Sequence, residues 1–200
     1  MESYRTLPKD LRPPRNLSVG FRHGSRKALA AITNLPPHDL PEGFFPCQTD
    51  LFTYQPPKLN FGWVTPEAST RRVLESKARE LIGMATFRYP YEEPVQVYSS
   101  HSTMKKVADY LAREFGTSLR LYTEDVITES PLEIIDCITM TSNYPPDGPV
   151  PSQEHIKILK NFLEIEEEPC WYMNYAHGYW GKRRIVDMGN GDFNLLELDP

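Results

Sequence analysis

Between residues 95 and 175 the spacing of apolar side chains switches back and forth between about 2 and about 3.6 residues, and few folds accept the resulting order of elements. Val95-Gln96-Val97-Tyr98 alternates as a half-buried strand. Ser102 to Phe115 follows with Met104, Val107, Ala108, Leu111 and Phe115 on one helical stripe, and Gly116 stops it. Leu119-Arg120-Leu121-Tyr122 alternates again, and Ile134 to Thr141 is dense in β-branched residues, as suits a central strand. Ser152 caps a second helix with the stripe Ile156, Leu159, Phe162 and Leu163, and Cys170 to Tyr175 returns to extended chain. The order is β-α-β-β-α-β, that of a split βαβ or ferredoxin-like unit, so the expected class is α+β. Both helices then cover one face of an antiparallel sheet and leave the other free.

Flanking segments extend this core. Thr65-Pro66-Glu67 reads as a helix start, and Leu74, Ala78, Leu81, Ile82 and Ala85 share one face of the helix it opens. At the C-terminal end, Asn190-Gly191 between Arg184–Met188 and Phe193–Leu198 predicts a β-hairpin. Residues 1–64 are expected to form a proline-rich, partly basic extended arm, with residues 65–200 as a single domain. Of the 19 prolines, 10 lie within residues 1–66, where each removes a backbone donor and fixes φ. Only Arg26–Thr33 suits a short helix there. The aromatic and apolar residues interleaved with the prolines from about Leu35 onward predict an arm that lies on its own domain or on a partner.

Charge is segregated: residues 1–27 carry seven basic and two acidic side chains, and residues 122–168 carry two basic and eleven acidic ones, within a net charge of −5. That balance argues against general coating of nucleic acid. Three cysteines, Cys47, Cys137 and Cys170, form no CxxC pair, which favours a reducing compartment over a disulfide framework. The start, MESYRTLPKD, has no apolar core of a secretory signal. The expected location is intracellular, cytoplasmic or nuclear, with no membrane.

The most chemically distinctive stretch is Glu168–Arg184, EPCWYMNYAHGYWGKRR. Its rings either bury large areas or stand beside Lys182, Arg183 and Arg184, where a partner stacks on them. Strand alternation adds to this set. If Val95, Val97, Leu119 and Leu121 face the helices, then Tyr98, Arg120 and Tyr122 face away, joined by Trp171 and Tyr175 and flanked by Trp180. No catalytic set emerges: the five histidines are scattered, Cys137 sits in an apolar strand, and Cys170 lies seven positions before His177. The residues call for no cofactor and no metal. The expected function is a non-catalytic protein-binding or scaffold module using the arm and the aromatic-basic surface. Single-stranded nucleic-acid binding on the open sheet face is the first alternative, and a small-molecule enzyme with a pocket between sheet and arm is the second.

Overall fold

The computed structural model describes residues 7, 11–12, 26–46, 53–65, 67–88, 93–129, 132–144, 148–178, 180–187 and 193–197. These form an α+β structure with antiparallel strand pairing throughout. In chain order the elements are α1 (Arg26–Thr33), β1 (Thr53–Gln55), β2 (Leu59–Val64), α2 (Glu67–Lys77), β3 (Met84–Phe87), β4 (Val95–Tyr98) and α3 (Ser100–Phe115). Then come β5 (Tyr122–Ile127), β6 (Ile134–Ser142), α4 (Gln153–Leu163), β7 (Cys170–Asn174), β8 (Gly181–Asp187) and β9 (Phe193–Glu197).

Local chemistry sets the helix ends. The Ser99 hydroxyl accepts from the Ser102 amide at the start of α3, and Gly116, at φ 65°, supplies the left-handed residue that ends it. Ser152 caps α4 by accepting from the His155 amide. Glu164 closes α4 at φ 57°, a left-handed conformation that costs a side-chain-bearing residue roughly 1–3 kcal/mol.

Strands β2, β6, β5 and β7 form a closed four-stranded barrel in that order. Strand β2 pairs with β6 along one edge and β7 along the other, and Val126↔Asn174 and Ile127↔Met173 close the ring. The alternation of side chains splits the strands into two sets. Leu59, Phe61, Trp63, Ile127, Ile138, Trp171 and Met173 join one apolar core with Leu29 and Ile32 of α1, Met104, Val107 and Leu111 of α3, and Ile156, Leu159 and Leu163 of α4. Helices cover that face, so the opposite set (Asn60, Gly62, Glu124, Val126, Cys137, Thr139, Cys170, Tyr172 and Asn174) turns inward. At Gly62, beside a register shift between Phe61 and Gly62, β2 and β6 run too close for a side chain: a Cβ there would lie 1.9 Å from the Ile138 carbonyl oxygen.

Several expectations are corrected. Val95–Tyr98 is not the first strand of the four-stranded unit; it pairs only with β3, in a separate two-stranded sheet. Strand β2 takes the barrel position next to β6 and β7, because Leu59, Phe61 and Trp63 supply the apolar face that Val95 and Val97 cannot. The boundary expected after Val64 therefore cuts through the barrel. The helix expected to run to Ala85 ends at Lys77, and after a 3-10 turn at Arg79–Leu81 the chain becomes β3. Gly83 lies in that connection, where a Cβ would meet the Ser102 Cβ at 2.5 Å. Leu119 and Leu121 are buried but precede β5 rather than forming a strand.

Strands β8 and β9 pair as the expected hairpin, whose turn lies outside the described residues; β8 also pairs with β1 in a third sheet. Within the expected arm, Leu7, Leu11, Leu29, Ile32 and Phe44 are all buried in the common core. Those parts of it are folded onto the domain. The Pro13-Pro14 pair lies outside the described residues.

Candidate functional site

Three places concentrate chemistry: the inward polar set of the barrel, the ribbon β3–β4, and the residues expected to bind. In the barrel, Asn174 Nδ2 donates to Asn60 Oδ1 at 3.1 Å and to Glu124 Oε2 at 3.0 Å, while Lys58 Nζ donates to Glu124 Oε1 at 2.8 Å. Asn174 Oδ1 accepts the His177 amide at 2.9 Å. One side chain thus ties β7 to β2, to β5 and to the turn after β7. Asn60 Nδ2 is buried with no acceptor among the described residues, a cost of about 1–3 kcal/mol.

Farther along the same interior sit Cys137, Cys170 and Tyr172. Burial pushes the Cys137 thiol up to about 12 against a hydrogen bond from Thr139 that lowers it. Burial also raises Cys170 and Tyr172. The reactive form of a cysteine is the thiolate, so both thiols stay protonated at neutral pH. Cys170 donates to the Glu168 carbonyl at 3.6 Å, the His177 amide donates to Asn174 Oδ1, and the His177 carbonyl accepts the Lys58 amide at 2.9 Å. Among the described residues no group of three or more His, Cys, Asp or Glu is placed to hold a metal ion, and no helix is long and apolar enough to cross a membrane.

The ribbon is different in kind. Its pairs are Met84↔Tyr98, Ala85↔Val97, Thr86↔Gln96 and Phe87↔Val95, so Ala85, Phe87, Val95 and Val97 share one face. Phe87 is 51% exposed, Val95 50% and Val97 42%. Neither strand carries a charge, and among the described residues no third strand joins them. Its base, by contrast, is firmly held. Gly83 N donates to Thr103 Oγ1 at 2.8 Å, Thr103 Oγ1 donates to the Ser99 carbonyl at 2.8 Å, and Ser99 N donates to the Gly83 carbonyl at 3.1 Å. The start of α3 thus holds the ribbon at its root.

The residues expected to bind do not share a face. Tyr98 ends β4 on the ribbon, half-buried, with the Arg71 guanidinium 5.2 Å from its ring centroid. Arg120 and Tyr122 do come together, with the guanidinium 6.0 Å from the ring centroid, but at the barrel. Trp171 is only 2% exposed and packs on Phe61, centroids 5.2 Å apart, on the helix-covered face. Tyr175 is exposed just beyond β7, its amide donating to the Asp125 carbonyl at 2.8 Å. Trp180 is half-buried and donates to the Leu11 carbonyl at 3.2 Å. Lys182, Arg183 and Arg184 belong to β8, paired with Tyr54, Thr53 and Leu196. The common aromatic surface is lost because Tyr98 and Tyr122 lie in different sheets.

Sequence reasoning placed Val95 and Val97 against the helices, whereas the structure exposes them. The signal was present in the alternation of VQVY, which marks an apolar face without saying what covers it. Comparison with known proteins adds no relative: no protein-family model matches the chain, and no curated protein or solved structure matches it.

Proposed function

We propose that this chain is a non-catalytic protein-binding module whose docking element is the β3–β4 ribbon. The observation that carries this reading is the apolar face of Phe87, Val95 and Val97, exposed on an uncharged ribbon. A two-stranded hairpin is marginal in water by itself, and neutral open edges invite another chain to pair. The protonated thiols and the internally bonded Lys58–Glu124–Asn174 group favour a structural over a catalytic role for the barrel interior. Within the same proposal, the barrel is a split βαβ sheet: its neighbour order β7-β2-β6-β5 is the ferredoxin-like order with β2 as first strand, curled until β5 reaches β7. The basic arm and Lys182–Arg184 are proposed as a second, electrostatic contact with that partner.

The test is native co-purification from the source cells with a paired variant, Phe87→Asp with Val97→Asp. Both sites are exposed, so folding is preserved, as circular dichroism will show. A protein recovered in stoichiometric amount with the wild type and lost from the variant supports the reading. An identical set of co-purifying species from both, or none with the wild type, refutes it.

A further inference from the structure

An amine, a carboxylate and a primary amide meet at one end of the barrel, and together they hold the parts of a condensation reaction. Lys58, just ahead of β2, extends the β2–β7 register by one pair: Leu59 faces Met173, and the Asn174 amide donates to the Lys58 carbonyl at 3.0 Å. Directly opposed residues of an antiparallel pair share a face, with Cβ atoms about 4.5–5.5 Å apart. The Lys58 and Asn174 side chains therefore leave the backbone as neighbours. Glu124 of β5 joins their ends: Oε1 accepts from Lys58 Nζ at 2.8 Å, and Oε2 accepts from Asn174 Nδ2 at 3.0 Å.

The amide is oriented by its surroundings. A backbone N–H only donates, so the Asn174 atom 2.9 Å from the His177 nitrogen is the oxygen Oδ1. Nδ2 is thereby turned toward Glu124 and toward Asn60 Oδ1. The same His177 N–H stands where negative charge develops on Oδ1 when a nucleophile attacks Cγ, the place where a fixed donor lowers the barrier most. Asn174 is 1% exposed, which limits competition from water. The Lys58 and Glu124 side chains keep part of their exposure, so a small leaving group has a way out.

We propose that Lys58 and Asn174 join in an intramolecular isopeptide bond, Nζ to Cγ, with Glu124 as the catalytic residue. Glu124 takes one proton from the Lys58 ammonium, and the freed Nζ lone pair attacks Cγ while the carbonyl electrons move onto Oδ1. Glu124 then passes its proton to Nδ2 and takes a second from Nζ. The Cγ–Nδ2 bond breaks, the carbonyl re-forms, and ammonia takes the last proton and leaves as ammonium, restoring the carboxylate. One amide replaces another, so neither an oxidant nor a co-reactant is consumed. The reaction turns over once, and its product ties the start of β2 to the end of β7, restraining the unfolded chain as a long-loop cross-link does. The proposal is independent of the ribbon and of any protein partner.

Mass spectrometry of the full chain, denatured and reduced, tests this. The wild type is expected to fall short of its sequence mass by one ammonia. Succinimide formation at an asparagine sheds ammonia too, so the digest decides: trypsin no longer cuts after Lys58, and fragmentation finds a branched peptide joining Lys58 to Asn174. Lys58→Arg keeps the full mass. Glu124→Gln keeps the shape of the side chain but relays no proton, and its linked fraction grows about a hundredfold more slowly or less. Wild type that stays at full mass after days at neutral pH overturns the proposal, as does ammonia loss mapped to any other asparagine. A bond that forms equally fast in Glu124→Gln overturns it as well. Should that variant fail to fold, the presence or absence of the branched peptide in the wild type decides alone.

Discussion

Adding one methyl group at Gly62 tests the close approach of β2 and β6 in the barrel. The new Cβ would stand 1.9 Å from the Ile138 carbonyl oxygen and 2.8 Å from its carbon, where real Cβ contacts stop at 3.0 Å. Strands β2 and β6 must therefore separate by about 1.1 Å. They have nowhere to go, since β2 is bonded on its other edge to β7 and β6 to β5. The cost combines overpacking strain of about 1–3 kcal/mol with ladder hydrogen bonds worth about 1 kcal/mol each. A loss of two such bonds brings the sum to about 3–5 kcal/mol, a large part of the roughly 5–15 kcal/mol that holds a domain together. At about 2–4 °C per kcal/mol for a chain of this size, Gly62→Ala lowers the melting temperature by roughly 6–20 °C. Gly148→Ala is the matched control, because a Cβ there meets nothing within 4 Å. Thermal melts followed by circular dichroism compare the two. If Gly62→Ala melts within about 2 °C of Gly148→Ala, the close approach of β2 and β6 is refuted.

Other perturbations reach the remaining elements. Gly83→Ala sets a Cβ 2.5 Å from that of Ser102 and 2.8 Å from the Ser102 and Thr103 backbone; it should loosen the ribbon by about 1–3 kcal/mol, read as faster amide exchange at residues 84–87 and 95–98 with the barrel unaffected. Asn174→Leu leaves the His177 amide, Glu124 and Asn60 short of a partner, so the urea midpoint should fall by the equivalent of about 2–4 kcal/mol. Alkaline pH acts through Cys137: burial holds its thiol at about 12 against 9.0, so the folded chain keeps a proton that the unfolded chain releases. Stability from this group is full below pH 9.0 and is lost as pH rises to about 12, by at most about 1.4 kcal/mol per pH unit. Denaturant titrations across that range should give a shallower slope for Cys137→Ala than for the wild type.

The α3 and α4 helices were legible in the sequence because an apolar stripe coincided with a stop or a cap. The helix read from Ser102 to Phe115 with its Gly116 stop, the helix capped by Ser152 and the β8–β9 pairing follow from short-range chemistry that tertiary contacts do not override, although the first begins earlier, with Ser99 as its cap. Assembly was not legible, because LNFGWV and VQVY both alternate, and the choice between them is made by partners distant in sequence. Leu59, Phe61 and Trp63 are larger than Val95 and Val97 and fill the space under α1, α3 and α4, so β2 enters the barrel and β4 is left outside. Pro56-Pro57 and Pro66 flank β2 without entering it, so the strand sits inside a proline-rich segment whose composition favours extended chain outside a sheet. For the candidate site, the apolar character of Val95 and Val97 was readable and its exposure was not. The helical stripe through Ala85 also hid β3, because Leu81 is buried at the end of a 3-10 turn and Ile82, just after it, packs against the core.

Hydrogen exchange of the β3–β4 ribbon, measured on the purified chain and on the chain recovered in its native complex, tests the docking reading most directly. Protection that appears on complex formation at residues 84–87 and 95–98, with the barrel strands unchanged, is the predicted result. Ribbon amides that exchange equally fast in both samples, or protection confined to other surfaces, would contradict it.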